Sequence, residues 1–217
     1  MKRTSYRLVL ADDHTLFRQG IRKLIEEIPG LDVVGEASDG IELMRLVRRL
    51  KPDMVVLDIS MPKLGGIEAT HEILRLTPNA SVLIITMHRR IEYVHHAFAA
   101  GAMGFLLKED TGDEFAEAVR SIQTGKRYVT RRLASDIADD LSKFYKHNGT
   151  LPVDPLTRRE RSILKLIAEG NTSRMIADIL YISPRTVQNH RFHIMQKLNI
   201  KSTVDLVKYA IEKGYVS

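Results

Sequence analysis

Three carboxylates, a hydroxyl and an ammonium stand at the ends of apolar runs in the first half of the chain. Asp12 and Asp13 follow the run Tyr6–Leu10, Asp58 follows Met54–Leu57, Thr86 closes Ser81–Thr86, and Lys108 closes Gly104–Lys108. Carboxylates gathered at one edge of a sheet repel one another and raise each other's pKa unless a cation intervenes. A site rich in oxygen and poor in protein ligands suits Mg²⁺, which favours octahedral geometry and keeps several waters. Lys108 is a point charge that can meet a carboxylate or a phosphoryl oxygen, and Thr86 offers a hydroxyl donor. A nucleophilic carboxylate, a divalent ion, an ammonium and a hydroxyl are the parts needed to place a phosphoryl group on Asp58.

The elements that must position these residues are legible in the same runs. Met54–Leu57 has no polar alternation, so it reads as a strand buried on both faces. Asp58 then opens the loop Ile59–Gly65, whose Pro62 and glycine turn the chain away from the sheet. Strands are expected at Tyr6–Leu10, Leu31–Ala37, Met54–Asp58, Ser81–Thr86 and Gly104–Lys108. Helices alternate with them. One begins at a Thr15 N-cap and runs to Pro29-Gly30; the others follow Asp39-Gly40, Gly66, Ile91 and the capping-box spacing Thr111–Glu114. Five β-α units in succession predict a flavodoxin-like, five-stranded parallel sheet in the order 2-1-3-4-5. In such a sheet ligands bind beyond the carboxyl ends of the strands. His95 and His96 are adjacent on a helix and point to different faces, so they are expected at the surface rather than as a metal pair.

The length of 217 residues allows two domains, and 44% apolar with 28% charged residues is ordinary for a globular chain. There is no cysteine, which excludes disulfides, thiolate zinc sites and a catalytic thiol. No apolar run is long enough to span a bilayer and no signal peptide is visible, so a cytoplasmic protein without membrane contact is expected. From Pro152 onward there are 11 Lys and Arg against 6 Asp and Glu, a net of +5, whereas residues 1–151 carry a net of +1. That asymmetry points to a polyanion partner for the last third.

The set Asp12, Asp13, Asp58, Thr86 and Lys108, with Met61-Pro62 and Gly65-Gly66 after the central aspartate, resembles the receiver domain of bacterial two-component response regulators over residues 5 to about 125. The resemblance implies that Asp58 accepts a phosphoryl group from a phosphohistidine on a sensor histidine kinase. It implies Mg²⁺ ligation by Asp13, Asp58 and the Ser60 carbonyl, with Asp12 mostly through water, and contact of Thr86 and Lys108 with the phosphoryl oxygens. Phe105 falls at the switch-aromatic position, where tyrosine is frequent, so it brings no hydroxyl. Glu109 falls where many receivers have proline, and Ser60 and His88 flank the site where family members tune acyl-phosphate lifetime. A Mg²⁺-dependent phosphatase using Asp58 as nucleophile is a rival, but such enzymes want a second acid two residues on, where Ser60 stands.

Residues 127–154 are expected to be a linker, with a helix over 133–145 and a polar stretch containing Gly149 and Pro152. Beyond it only helices are indicated, an all-α four-helix domain over 155–217. Thr157–Glu160 has capping-box spacing, Thr172 and Ser173 cap a short helix, and Ser183-Pro184 starts a long one. A short helix, the turn Tyr181–Ser183 and a second helix match a helix-turn-helix, whose second helix lies in the major groove of duplex DNA. The matching stretches, Leu156–Glu160, Ile182-Ser183, Thr186-Val187, Asn189-His190 and Lys197-Leu198, resemble the DNA-binding domain of NarL/FixJ and LuxR-type regulators. Val187, Ile194 and Leu198 are expected inward. Gln188, Asn189 and Phe192 are expected at base edges, and Thr172, Ser173, Arg185, Thr186, Arg191, His193 and Lys197 at phosphates. The resemblance implies a homodimer formed by the last helix, with Val204, Leu206, Val207 and Ala210 as its contacts, reading two half-sites of promoter DNA.

Overall fold

The computed structural model describes residues 5–89, 91–110, 112–135, 155–213 and 215–216. The chain divides into two compact units, Met1–Leu151 and Pro152–Ser217.

In the first unit β1 (Tyr6–Ala11), α1 (Thr15–Glu26), β2 (Leu31–Ala37), α2 (Gly40–Leu50), β3 (Met54–Leu57), α3 (Gly66–Leu76), β4 (Ser81–Thr86), α4 (Ile91–Ala99), β5 (Gly104–Leu107) and α5 (Gly112–Gln123) alternate as expected. A sixth strand, β6 (Tyr128–Val129), follows. All neighbouring strands pair in parallel, in the order β2-β1-β3-β4-β5-β6. The expected order therefore stands, with β6 added where a linker was expected. Two residues are too few for any periodicity to show, and their pairing with Gly104 and Phe105 is a tertiary event.

The apolar run of β3 is divided by the pleat. Val55 and Leu57 join Leu43, Val47, Ile67, Ile73, Val94 and Ala97 on the face covered by α2, α3 and α4. Met54 and Val56 join Ile21, Ile25, Phe115, Val119 and Ile122 on the face covered by α1 and α5. A strand with both faces covered needs apolar residues at every position, and all four of its residues are buried.

Asp39 caps α2, its carboxylate accepting from the backbone N–H of Ile41 and Glu42 at 2.8 Å each. Thr15 does not cap α1. It is the first helical residue, and His14 occupies the cap with no side-chain hydrogen bond to the helix. The His14 N–H is bonded instead to the Asp12 carboxylate at 2.8 Å, so the acidic loop itself closes the helix entry. Thr111 of the expected capping box lies outside the described residues. After β6 the chain continues as helix over 131–135, with Leu133 fully buried in the first-unit core. The rest of the helix expected over 133–145, and the polar stretch after it, lie outside the described residues.

The second unit holds α6 (Arg158–Ala168), α7 (Ser173–Leu180), α8 (Pro184–Leu198) and α9 (Thr203–Glu212). The caps expected at Thr157, Thr172 and Ser183 form, and Ser202 caps α9. Thr157 and Glu160 make a reciprocal capping box, Thr172 accepts from the Met175 N–H, Ser183 from Thr186 N–H with Pro184 in the first turn, and Ser202 from Asp205 N–H. Ile163, Leu164, Leu166, Ile176, Val187, Ile194, Leu206 and Ala210 form the core.

Glu160 also takes the Lys197 ammonium at 2.7 Å. Burial alone would raise the Glu160 pKa, but Lys197 and Thr157 outweigh it and hold the carboxyl below its ordinary range. A folded pKa below the unfolded one gives stability that is present above the unfolded value and lost as the pH falls through the folded one. Glu160→Gln should therefore open α6 more readily than wild type at pH 7, by about 1 kcal/mol. That difference should shrink as the pH falls below the ordinary glutamate range and vanish once Glu160 is protonated in the folded chain. Amide exchange over residues 158–168 of the full chain measures both arms.

Candidate functional site

The carboxyl ends of β1, β3, β4 and β5 bring the sequence-indicated residues of the first unit together. Asp58 follows β3 directly, and its N–H bonds the Ala11 carbonyl at 2.9 Å, so the residue is held by the neighbouring strand. Behind it α3 begins in tight contact. A Cβ on Gly66 would stand 2.1 Å from the Asp58 carbonyl oxygen and 2.6 Å from the Leu57 Cδ1, so only glycine lets the helix approach.

The Lys108 ammonium lies between two buried carboxylates, 2.7 Å from Asp12 Oδ2 and 2.8 Å from Asp58 Oδ2. Its backbone N–H is bonded to the Thr86 carbonyl at 2.9 Å, which fixes the end of β5 against β4. Burial alone would lower the Lys108 pKa; the hydrogen bonds and charges of Asp12 and Asp58 outweigh it, and the net shift is upward. Burial pushes the Asp12 carboxyl up. Hydrogen bonds from Lys108 and His14 offset this in part, and the Asp58 charge adds to the rise. The repulsion expected among the carboxylates is thus relieved here by an ammonium.

One more residue joins the cluster. The His14 ring Nδ1 lies 2.9 Å from Asp13 Oδ1 and 3.2 Å from Asp12 Oδ1. One ligand atom each from Asp12, Asp13, His14 and Asp58 fall within 4.8 Å of one another. Nothing in the spacing singled out His14 beyond its place next to Asp13. Three carboxylates against one ammonium leave the pocket anionic, and the carboxylate oxygens are hard donors of the kind Mg²⁺ takes. The residues present therefore fit a divalent cation.

Thr86 is fully buried, with its Oγ1 3.4 Å from the His88 N–H. Phe105 is also fully buried, turned into the core. Ser60 and His88 meet directly, with Oγ 2.6 Å from Nε2, and the His88 ring stacks on Tyr93 at 4.5 Å. Ser60 N–H reaches Asp58 Oδ1 at 3.3 Å. The rings of His95 and His96 lie edge-on at 6.1 Å, and the only metal-competent cluster among the described residues is the acidic one. Glu109 pairs with Arg89 and with Arg132, the latter at 3.3 Å.

In the second unit α8 buries Val187 and Ile194 and half-buries Leu198 against the core. Arg185, Gln188, Asn189, Phe192 and His193 are exposed, and Phe192 remains 59% exposed despite its size. Thr172 and Thr186 spend their hydroxyls in helix starts, with Thr186 Oγ1 2.8 Å from Ser183 Oγ. Ser173 is the first residue of α7. Arg191 donates to Thr203 Oγ1 at 3.1 Å.

Lys197 is engaged by Glu160, and its charge anchors α8 to the start of α6. One expectation is corrected. Leu206 and Ala210 are fully buried in their own domain's core and have no surface for a second chain. Their 3.6-residue spacing on α9 marked an apolar face, and that face turns inward. The exposed apolar residues of α9 are Val204 and Ile211, with Val207 partly exposed.

Residues 8–120 match the response regulator receiver domain, and residues 154–210 match the luxR family of bacterial regulatory proteins. The chain belongs to the two-component response regulators that join a receiver to a LuxR-type DNA-binding domain, a family of regulators and not of classical enzymes. Among its relatives is the transcriptional regulatory protein DegU of Brevibacillus brevis, 35% identical over an alignment that spans 96% of this chain and 94% of that one. The response regulator GacA of Pseudomonas aeruginosa is 36% identical, spanning 97% of each. Among solved structures, that of the two-component response regulator RcsB in complex with DNA covers 94% of this chain and 97% of its own, at 28% identity and a TM-score of 0.58. No helix among the described residues is long and apolar enough to cross a membrane.

Proposed function

We propose that this chain is a phosphorylation-dependent cytoplasmic transcription regulator, with residues 5–126 as phosphoacceptor domain, 127–154 as linker and 155–217 as DNA-binding domain. The observation that carries the reading is the Lys108 ammonium seated between the buried carboxylates of Asp12 and Asp58, with Asp13 beside them. An Asp58 carboxylate oxygen attacks the phosphorus of a phosphohistidine on a sensor histidine kinase; the new P–O bond forms as the P–N bond breaks, and the imidazole leaves. Asp12, Asp13, Asp58 and the Ser60 carbonyl would hold Mg²⁺, which would supply positive charge for the transferring oxygens. Lys108 supplies a second, fixed positive charge, and the Thr86 hydroxyl donates to the phosphoryl group once it arrives. Thr86 and the buried Phe105 carry the change into the sheet, which shifts a two-state receiver. Small phosphodonors serve the same carboxylate, and hydrolysis of the acyl phosphate resets it.

The DNA-binding unit then docks as a homodimer on double-stranded promoter DNA, Val204 and Val207 contributing to the contact. Gln188, Asn189 and Phe192 face base edges, and Thr172, Ser173, Arg185, Thr186, Arg191 and His193 lie along phosphates. The net +5 of this region supports a polyanion partner. Acetyl phosphate with Mg²⁺ should add one phosphoryl group to the peptide containing Asp58 and tighten promoter binding. Sustained turnover of simple phosphate esters, with no gain in DNA affinity, would replace this reading with that of a phosphatase. Arg185→Ala should weaken binding about equally across DNA sequences and reduce the slope of log K against log salt by about 1; a filter-binding salt titration reads it.

A further inference from the structure

Asp12 is the first residue past β1, and its peptide is held on both sides. Its N–H donates to the Ala37 carbonyl at the end of β2, at 3.1 Å. Its carbonyl oxygen accepts from Nη1 of Arg18 on α1. The same guanidinium donates from Nε to Glu36 Oε2 on β2 at 3.1 Å. Glu36 Oε1 in turn takes Arg22 Nη1 at 2.6 Å. The Arg18 side chain is 14% exposed, so the guanidinium sits between two acceptors with little freedom. A planar fork that serves a carbonyl and a carboxylate at once fixes direction as well as distance.

We propose that Arg18 is a positioning residue for the acidic site. Through the Asp12 carbonyl it sets the direction in which Asp12 and Asp13 present their carboxylates to a divalent ion. The inference rests on the functional reading above, in which those carboxylates hold Mg²⁺. Two physical effects of Arg18 have opposite signs. As a cation near an anionic site it opposes a second cation, so its removal would tighten metal binding by charge alone. As an outer support of a ligand it favours the metal, and loss of such supports typically weakens affinity about 10- to 100-fold. The hydrogen bond to the Asp12 peptide makes the second effect the larger one.

The test is Mn²⁺ and Mg²⁺ binding to the full chain, by calorimetry and by the electron paramagnetic resonance of free Mn²⁺, with metal-free thermal unfolding alongside. Arg18→Met should bind either ion about tenfold or more weakly. Arg18→Lys, which keeps the charge but not the fork, should also bind more weakly than wild type. Arg22→Met removes a neighbouring cation that shares Glu36 but leaves the Asp12 carbonyl bonded, and should bind as wild type does. Arg18→Met binding as tightly as wild type, or tighter, overturns the proposal, and so does equal weakening by Arg22→Met. Should Arg18→Met not fold, Arg18→Lys decides between the same outcomes. Wild type binding neither ion would overturn the functional reading itself, a result distinct from the failure of Arg18 alone.

Discussion

An Asp58→Asn chain should take up no phosphoryl group and should show no gain in DNA affinity when a phosphodonor is added, while its basal DNA binding stays as in wild type. The amide is a poor nucleophile, and in the proposed reading Asp12 and Asp13 hold the metal and do not attack. The fold should survive the change. Asparagine preserves the volume, Lys108 keeps Asp12 at 2.7 Å, and one of two like charges buried side by side is gone. The magnitude follows from the two-state argument: a full swing from 1:99 to 99:1 requires about 5.5 kcal/mol of differential stabilisation, and all of the phosphoryl-dependent part should be lost. Mass spectrometry for incorporation and fluorescence anisotropy for promoter binding read the two halves separately. If the variant still gained affinity on treatment with the donor, the acceptor would lie elsewhere.

Lys108→Met should lower stability by about 3 kcal/mol, the lower end for a broken buried pair because the stranded carboxylates can bind a proton. Lys108 and Asp58 have side-chain exposures of 5% and 3%, so solvent screening does little here. The ammonium also lies 4.8 Å from the centroid of the Phe17 ring, and a neutral methionine forgoes that cation–π attraction as well. The destabilisation should be largest in the presence of a chelator. Mg²⁺ at a hundredfold its dissociation constant should restore about 2.7 kcal/mol, because a bound divalent ion then supplies the charge that the lysine did. The double variant Lys108→Met with Asp58→Asn should recover part of the stability without metal, since only one carboxylate remains to be compensated at that point. Urea unfolding of all three chains, with and without Mg²⁺, tests this. Equal stability of Lys108→Met and wild type in chelator would show that the ion pair contributes nothing to the fold.

The sequence by itself determined the alternation of strands and helices, the strand order and the edge at which Asp12, Asp13, Asp58, Thr86 and Lys108 collect. It did so because burial on both faces leaves no polar alternation in β3 or β4, and because caps such as Asp39, Thr157, Ser183 and Ser202 act within a few residues of themselves. Such signals are local, and a linear reading captures them. The Thr15 cap shows the limit: the hydroxyl had the right type, but the Asp12 carboxylate took the helix entry through His14.

Tertiary structure alone decided which of the collected residues touch. The Lys108 ammonium and the His14 ring are 94 positions apart and stand 3.3 Å from each other only because β5 and the end of β1 open onto one edge. The two-residue β6 exists only because β5 offers it a partner. The same holds for the apolar stripe of α9, which told that a face was buried but not against what. Leu206 and Ala210 went inward and left Val204 and Ile211 outside. Lys197, expected along a phosphate, also meets Glu160, and Arg18, which no spacing singles out, meets the Asp12 carbonyl. Periodicity reports how deeply a residue is buried. The identity of its neighbour depends on how distant segments cross, and no spacing along the chain records that.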